Sequence, residues 1–392
     1  MKLSPPVFDA SQSSPRRLRR LCLSRIGLIL LSTGFSIGVI EVTLYLFPAL
    51  LPLEVYKHSL GSPGVAHSYV GYLHRPHHTG TIAGSGFTST FHTDGNGFRN
   101  VWPWPDQVEV VTVGDSLTFG YGVEDAEAWP AILAQALPHL RVVNLGLIGA
   151  GPQQYFRVYE TFGKPLRPRL VVVGLFLHND FGDANMFDAW LQAGAKGNYL
   201  VWREFDRRGW FKAMLKRHTS SYNLLAHTRN LYNNWRMSEP RILTLPSGEH
   251  LELRPNTFAV LTKNAYSDTP EFASALQALV RLQTLAREQG AYVLLVFQPA
   301  KEQIYLPLLG ESVPDLDRDL RAALDAHDIP SLDLRPVFRQ HAEAGEQLYF
   351  AADGHPNKQG YRLIAQEIIA HLATHAADYG LHGVVPLPPE TK

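Results

Sequence analysis

The chain is poor in cysteine and carries no excess of charge of either sign. Cys22 is the single cysteine among 392 residues, which excludes an internal disulfide and a cysteine-rich metal site. It precedes an apolar segment rather than following one, so we do not interpret it as a lipid-modified cysteine. Basic and acidic residues number 36 each, so no overall field favours nucleic acid. Internal repeats and low-complexity tracts are also absent, and a composition that is 45% hydrophobic predicts a folded chain with a sizeable core.

One long apolar run lies near the N-terminus. Residues 26–47 have about the 20 residues that a helix needs to cross a membrane. Arginines crowd the segment before it, whereas only Lys57 follows it closely. The positive-inside rule then places residues 1–25 in the cytoplasm as a basic tail. We therefore predict a transmembrane signal anchor at 26–47 in a cell membrane and an extracytoplasmic domain after it, periplasmic in a Gram-negative cell. A cleaved signal peptide is the alternative, although its apolar core is usually shorter.

Glu41 lies toward the outer end of this apolar run. A carboxylate in a spanning helix is costly and invites a functional interpretation. It can reach the headgroups or be protonated there, and contact with a partner helix remains open.

The next segment, 48–106, is rich in proline, glycine and histidine and is predicted to be a juxtamembrane spacer. Residues 79–99 alternate enough for a hairpin, with a turn at Asp94-Gly95 or Asn96-Gly97. The spacing of four histidines fits no standard metal site, so we predict solvated loop residues and no metal: His74, His77, His78 and His92.

From Val108 onward, short β-branched runs alternate with helical segments, which predicts a parallel sheet covered by helices on both faces. Strands are predicted at 108–113, 141–145, 169–177, 291–298 and 329–334. Helices are predicted at 126–137, 152–162, 272–289, 315–327 and 357–374. Residues 181–270 break the rhythm and are predicted to be an insertion near the active-site edge, with a helix over 210–235 and a hairpin turning at Ser247-Gly248. The domain spans 107–375, and 376–392 form a C-terminal tail.

Residues that can do chemistry follow the ends of these strands. Gly114-Asp115-Ser116 places a hydroxyl at the carboxyl end of the first strand, where it can act as a nucleophile if a base is near. Asp353-Gly354-His355 offers that base, with a carboxylate close enough to orient the imidazole. The amide of Asn179, after the third strand, and a backbone N–H of the loop 144–151 can donate to an oxyanion.

Taken in order, Gly-Asp-Ser at 114–116, Gly149, Asn179 and Asp353-x-His355 resemble the four sequence blocks of SGNH (GDSL-type) hydrolases. The closing run Asp-Gly-His-Pro-Asn-x-x-Gly-Tyr strengthens the resemblance, and the stretch 298–305 is similar to membrane-anchored bacterial members. The resemblance covers about residues 107–375. It implies a flavodoxin-like three-layer α/β/α sandwich with a parallel sheet, here preceded by one transmembrane helix.

The same resemblance implies roles for individual residues. Ser116 would be the nucleophile, His355 the base and Asp353 the group that orients it. The oxyanion hole would comprise the N–H groups of Ser116 and Gly149 and the side chain of Asn179. Gly146 competes with Gly149 for the second block, but the spacing from Asn144 favours Gly149.

Our first hypothesis is a membrane-anchored serine esterase that hydrolyses an ester or O-acyl group, including O-acetyl, without cofactor or metal. The substrate would be a small-molecule or glycan ester; the sequence assigns no acyl group and no oligomeric state. The second hypothesis is acyl transfer to an envelope glycan. SGNH-like acetyltransferases of alginate assembly carry their Asp-x-His ahead of the serine, whereas here it follows, as in hydrolases. The third is a non-catalytic envelope scaffold, against which the intact site residues count.

Other polar and aromatic residues are given structural interpretations. We expect His178 to pack or support the site, and Lys301 and Glu302 to form a salt-bridged turn outside the catalytic set. Three aspartates, Asp180, Asp183 and Asp188, are expected to be solvated or to cap helices. Aromatic residues of the insertion are interpreted as packing, with carbohydrate binding left open: Trp202, Trp210, Phe211, Tyr222, Tyr232 and Trp235.

Overall fold

The computed structural model describes residues 15–47, 50, 64–208, 212, 214–215, 219–237, 240–263, 267–381 and 384. The chain divides into two compact units. The first comprises Met1–Gly61 and Met214–Leu231, and the second comprises Ser62–Ala213 and Tyr232–Lys392.

The first unit is built around a long N-terminal helix, α1 (Pro15–Leu46). Its part Arg25–Leu46 is long and apolar enough to cross a membrane, a test that a signal sequence also passes. The Glu41 carboxylate accepts hydrogen bonds from the N–H of Ser221 at 3.0 Å, from the hydroxyl of Ser221 at 2.7 Å and from the N–H of Ser220. Because these serines begin the helix Ser220–Met237, Glu41 satisfies free N–H groups at a second helix's N-terminus. The helix contact that the sequence left open is therefore present within this unit.

The remaining elements, in chain order, are as follows. The strands are β1 (Gly64–His67), β2 (Gly71–His74), β3 (Thr79–Gly84), β4 (Phe87–His92), β5 (Val110–Gly114), β6 (Val142–Gly146), β7 (Leu170–Leu175), β8 (Arg241–Thr244), β9 (His250–Leu253), β10 (Tyr292–Phe297) and β11 (Ser331–Asp333). The helices are α2 (Ser116–Phe119), α3 (Trp129–Ala136), α4 (Pro152–Val158), α5 (Asp180–Gln192), α6 (Tyr199–Arg208), α7 (Ser220–Met237), α8 (Pro255–Thr262), α9 (Pro270–Arg287), α10 (Lys301–Tyr305), α11 (Arg318–Asp325), α12 (Arg335–Glu343) and α13 (Lys358–His375).

The second unit is organised by a parallel sheet of β5, β6, β7, β10 and β11. Their spatial order is β11–β10–β7–β5–β6, which in chain order is the 2-1-3-4-5 arrangement of flavodoxin-like folds. Every residue of β5 and β7 is buried, as expected for parallel strands that are covered on both faces. The predicted α/β fold is confirmed, and the ends of these strands agree with prediction to within two residues.

Residues 64–106 lie in the same compact unit as the sheet. Arg99, which is 7% exposed, donates hydrogen bonds to the backbone carbonyls of Gly120 at 2.6 Å and Val123 at 2.7 Å. A buried guanidinium therefore fastens this segment to the chain that follows α2.

The hairpin predicted over 79–99 forms from β3 and β4, but its predicted turn is wrong. The pairing of Gly84 with Phe87 leaves Ser85 and Gly86 as the two-residue loop, and Gly86 has a φ of 87°. The predicted Asp-Gly and Asn-Gly pairs form a separate turn. There the Asp94 carboxylate accepts the N–H groups two and four residues further along the chain.

The region 181–270 holds helices and one hairpin in its described part. Helix α5 packs against α4 and α9. The predicted hairpin is confirmed as β8 and β9, with its turn at Ser247-Gly248, and the Glu252 N–H donates to the Ala351 carbonyl at 2.8 Å. Trp202 packs against Tyr199 with ring centroids 6.3 Å apart. Several predicted features lie outside the described residues: Trp210, Phe211, the side chains of Tyr232 and Trp235, and most of the tail 376–392.

Candidate active site

The predicted nucleophile lies at the carboxyl end of β5. Gly114 ends the strand, and a Cβ at this position would come within 2.1 Å of the Thr118 hydroxyl. Asp115 caps α2 by accepting the Leu117 N–H at 2.8 Å. The chain thus turns sharply into α2 at Ser116, which is 8% exposed. The tight strand-to-helix turn holds the hydroxyl at the sheet edge where parallel strands place their sites.

The structure brings the serine, the histidine and the aspartate of the prediction together. The Ser116 Oγ lies 2.9 Å from His355 Nε2. The other ring nitrogen of His355, Nδ1, lies 2.6 Å from Asp353 Oδ1, and the same oxygen accepts the His355 N–H at 2.8 Å. The Tyr121 ring stacks on the imidazole with centroids 4.2 Å apart. Two hydrogen bonds and one ring face therefore fix the orientation of the imidazole.

The Asp353 carboxyl is held in its ionised form. Burial acts to raise its pKa, but the hydrogen bond and charge of His355, with the charge of Lys301, bring the pKa below its ordinary value. A folded-state pKa below the unfolded value of about 3.9 gives stabilisation that is present above that value. The stabilisation is lost as the pH falls through the folded pKa, so at neutral pH the carboxylate is charged.

Lys301 does not form the salt-bridged turn that we expected. Its ammonium donates to three carbonyls of the loop that carries the histidine, those of Phe350 at 3.3 Å, Ala351 at 3.1 Å and Asp353 at 2.9 Å. Lys301 is 2% exposed, and burial lowers its pKa. Glu302 instead accepts the N–H of Arg254 at 3.1 Å. Lys301 thus ties α10 to the loop that carries His355.

Replacing this ammonium should loosen the loop. We expect Lys301→Met, which keeps the length of the stem, to lower the free energy of unfolding by roughly 3 kcal/mol, because three half-buried carbonyls lose their partner. We also expect kcat to fall by about ten- to a hundredfold through displacement of the imidazole. Denaturant unfolding and ester turnover measure the two effects.

The matched control is Lys358→Met, since Lys358 is largely exposed and pairs with Glu127 at the surface. It should change stability by less than about 1 kcal/mol. Equal stability and turnover in the Lys301 and Lys358 variants would refute the role of Lys301.

The two candidate glycines of the second block differ in what their N–H groups do. The Gly146 N–H donates to Asn144 Oδ1 at 2.8 Å, and a Cβ there would lie 2.3 Å from the Phe119 nitrogen. Gly146 therefore serves packing. Gly149 has a φ of 77°, and within the described part of the chain its N–H donates to no protein acceptor. Of the two glycines, Gly149 is therefore the one whose N–H can donate a hydrogen bond to a substrate.

Asn179 precedes α5 and uses one donor of its side chain. Its Nδ2 donates to Asp183 Oδ2 at 2.9 Å, which leaves the second N–H of the amide. The Asp183 carboxylate also pairs with Arg203 at 2.5 Å, and Arg203 donates to the Gly149 carbonyl at 3.1 Å. The side chains of Asn179 and Arg203 thus meet on one buried carboxylate.

Solvation, one of the two roles expected for the neighbouring aspartates, is wrong for two of them. Asp183 is 2% exposed and Asp180 is fully buried. Asp180 accepts the Tyr155 hydroxyl at 2.8 Å and the Phe176 N–H at 2.8 Å, and burial raises its pKa. Asp188 accepts a hydrogen bond from the Ser274 hydroxyl. Alternation and motif spacing carry no signal for such tertiary partners.

The histidines of the N-terminal segment also include an exception. His74 is 2% exposed, lies 3.3 Å through Nδ1 from the Gly97 carbonyl and has a pKa lowered to about 4 by burial, so it is not a solvated loop residue. His92 is exposed and pairs with Asp125. His178, near the site, has a pKa lowered to about 4 by burial and by the charge of His355. A buried, neutral imidazole agrees with the packing role that we expected for His178. Among the described residues, no group of three or more His, Cys, Asp or Glu side chains could hold a metal.

The sequence matches a known protein family over most of its length. The model of the GDSL-like lipase/acylhydrolase family matches residues 112–363, a range that contains every predicted site residue. The chain belongs to this family. As a GDSL-like family member it is a serine hydrolase that acts on ester bonds. No curated protein matches the chain.

Solved structures similar to this GDSL-like chain include a lipolytic protein and an esterase. A member of the lipolytic G-D-S-L family from Veillonella parvula aligns over 67% of this chain and 96% of its own, at 15% identity and a TM-score of 0.37. A catalytic mutant of Axe2, an acetylxylan esterase from Geobacillus stearothermophilus, aligns over 67% and 93%, at 14% identity and a TM-score of 0.36. TesA aligns over 68% and 98%, at 17% identity and a TM-score of 0.36.

Proposed function

We propose that this enzyme hydrolyses an ester or O-acyl group through a Ser116–His355–Asp353 triad. The observation that carries the proposal is the continuous hydrogen-bonded path from the Asp353 carboxylate through the imidazole to the Ser116 hydroxyl. A serine is a weak nucleophile until a base removes its proton, and here the base already lies within hydrogen-bond distance.

In the acylation step, Ser116 Oγ attacks the carbonyl carbon of the ester and its proton passes to His355 Nε2. The carbonyl π electrons move to oxygen. The resulting oxyanion accepts hydrogen bonds from the backbone N–H groups of Ser116 and Gly149 and from the side-chain amide of Asn179. Collapse re-forms the carbonyl, breaks the bond to the alcohol oxygen, and returns the proton from His355 to the departing alcohol. The acyl group remains on Ser116.

Deacylation repeats these steps with water. His355 takes a proton from water as the oxygen attacks the acyl carbon, and the same donors hold the second oxyanion. The proton then returns to Ser116 Oγ as the carboxylic acid leaves. Asp353 stays ionised throughout; it keeps the Nδ1–H directed at itself and stabilises the imidazolium.

A cluster of aromatic side chains beside the imidazole supports a substrate with an apolar acyl group. Phe87 stacks on Phe350 with centroids 4.1 Å apart and lies edge-on to Tyr121, whose ring covers His355. These side chains are half-buried and offer an apolar surface next to the reacting atoms. Turnover of p-nitrophenyl acetate, butyrate and octanoate by the full-length chain in detergent tests the proposal. Absence of turnover with all three esters would contradict it.

We further propose that catalysis takes place outside the cytoplasm. The support is the apolar part of α1, Arg25–Leu46, with its arginine-rich N-terminal flank.

Reporter fusions test this orientation. A periplasmic reporter fused after residue 61 should be active and a fluorescent cytoplasmic reporter there should be dark. Replacing the five N-terminal arginines with alanine should weaken this orientation, whereas Glu41→Leu should leave insertion intact; the five are Arg16, Arg17, Arg19, Arg20 and Arg25. The opposite reporter pattern would overturn the orientation and with it an envelope substrate.

A further inference from the structure

The loop that presents Gly149 is a tight turn. The Ala150 N–H donates to the Leu147 carbonyl at 3.0 Å, and Gly149, the third residue of the turn, has a φ of 77°. A positive φ at this position distinguishes a type II turn from a type I turn. The two types differ mainly by a flip of the central peptide and can share the same closing hydrogen bond. In this loop, the central peptide joins the Ile148 carbonyl to the Gly149 N–H.

A buried tyrosine holds one side of that peptide. The Tyr72 hydroxyl donates to the Ile148 carbonyl. In a trans peptide the C=O and N–H point in opposite directions, so fixing the carbonyl also fixes the direction of the Gly149 N–H. Tyr72 is 1% exposed, its ring stacks on Tyr199, and burial raises its pKa well above the ordinary value. Its hydroxyl therefore remains a donor over the working pH range.

An arginine holds the next peptide. Arg203 donates to the Gly149 carbonyl at 3.1 Å and is itself fixed by its ion pair with Asp183. The same carboxylate accepts the Asn179 amide. Tyr72 from β2 and Arg203 from α6 thus hold the carbonyls of the two peptide groups that flank the Gly149 Cα.

We infer that Tyr72 and Arg203 are positioning residues of the oxyanion hole. They hold the turn in the state in which the Gly149 N–H is presented to the developing oxyanion. The inference rests on the proposed function, because it needs Gly149 as an oxyanion donor. A flipped central peptide would keep the closing bond of the turn but withdraw this donor, so loss of the Tyr72 hydroxyl affects the reaction without unfolding the loop.

The test uses Tyr72→Phe in the full-length chain with p-nitrophenyl acetate. We expect kcat to fall about ten- to a hundredfold with KM changed less than about twofold, because the donor is strengthened only in the transition state. The affinity of methaneboronic acid, which forms a charged tetrahedral adduct with the serine, should fall in parallel. Tyr69→Phe is the matched control, since the Tyr69 hydroxyl of the same segment bonds Glu160 instead.

Two further variants show whether Tyr72 acts through Gly149. In a Gly149→Ala background, Tyr72→Phe should add little. Alanine keeps the backbone N–H but is strained at a φ of 77°, so it favours the flipped turn, and both changes then turn the same donor away from the oxyanion. Arg203→Lys keeps a positive charge but cannot reproduce the guanidinium fork, so it should also lower kcat rather than raise KM.

The outcomes separate this inference from the proposed function. A Tyr72→Phe enzyme that behaves like Tyr69→Phe, or additive costs with Gly149→Ala, would overturn the inference while an inactive Ser116→Ala still supports the triad. Full activity in Ser116→Ala would overturn both.

Discussion

Ser116→Ala, His355→Ala and the double variant should each lose about a million-fold in kcat, to a similar residual rate. The three losses are alike because serine and histidine act as one unit across the 2.9 Å hydrogen bond between them, so removing either disables both. Ester turnover by the purified full-length chain measures the effect. Circular dichroism should show an unchanged fold, since neither substitution leaves a large cavity.

Asp353→Ala should cost less, about ten-thousand-fold, because the carboxylate orients the imidazole and never takes the proton. Additive losses in the Ser116/His355 double variant would mean that the two side chains act independently. That result would contradict the triad even if each single variant were impaired.

Asn179→Ala should lower kcat by about a hundred- to a thousandfold and leave KM nearly unchanged. A donor to the oxyanion is worth most when the carbonyl oxygen carries charge, so its removal affects the transition state more than substrate binding. Losing one such donor costs about 3–4 kcal/mol in activation free energy. Steady-state kinetics with p-nitrophenyl acetate measure the separation.

Asn185→Ala provides the matched control, because Asn185 lies on α5, the helix that Asn179 precedes, is exposed, and donates to Glu271. It should leave turnover unchanged. Asn179→Asp should be as poor as Asn179→Ala or worse, since a carboxylate offers no donor and would face Asp183 at the present 2.9 Å contact. A raised KM with normal kcat in Asn179→Ala would make Asn179 a substrate-binding residue.

The sheet could be predicted from sequence because its signals are local. Runs such as Val110–Gly114 and Leu170–Leu175 are short and rich in β-branched residues, which is typical of buried strands. The order of the strands fixes which loops meet, so the approach of Ser116, Gly149 and Asn179 to one edge follows from the topology. Asp353 and His355 could be paired with them because their spacing of two residues is itself a local signal.

The supporting residues could not be predicted, because their partners are distant in the chain. Tyr72 reaches a carbonyl 76 positions away and Arg203 reaches one 54 positions away. Lys301 bonds backbone carbonyls, which have no sequence signature. The hairpin turn was misassigned for a related reason. Asp94 accepts the Trp104 indole N–H and the Asn100 amide, so its Asp-Gly pair closes a packed loop and not a hairpin.

Covalent labelling tests the central claim, that Ser116 is the nucleophile, most directly. The full-length chain is treated with a fluorophosphonate, digested, and mapped by mass spectrometry. We expect the phosphonyl mass on the peptide that contains Ser116, no labelling in Ser116→Ala, and much slower labelling in His355→Ala. Phosphonylation of a different serine, or labelling that persists in Ser116→Ala, would contradict the account.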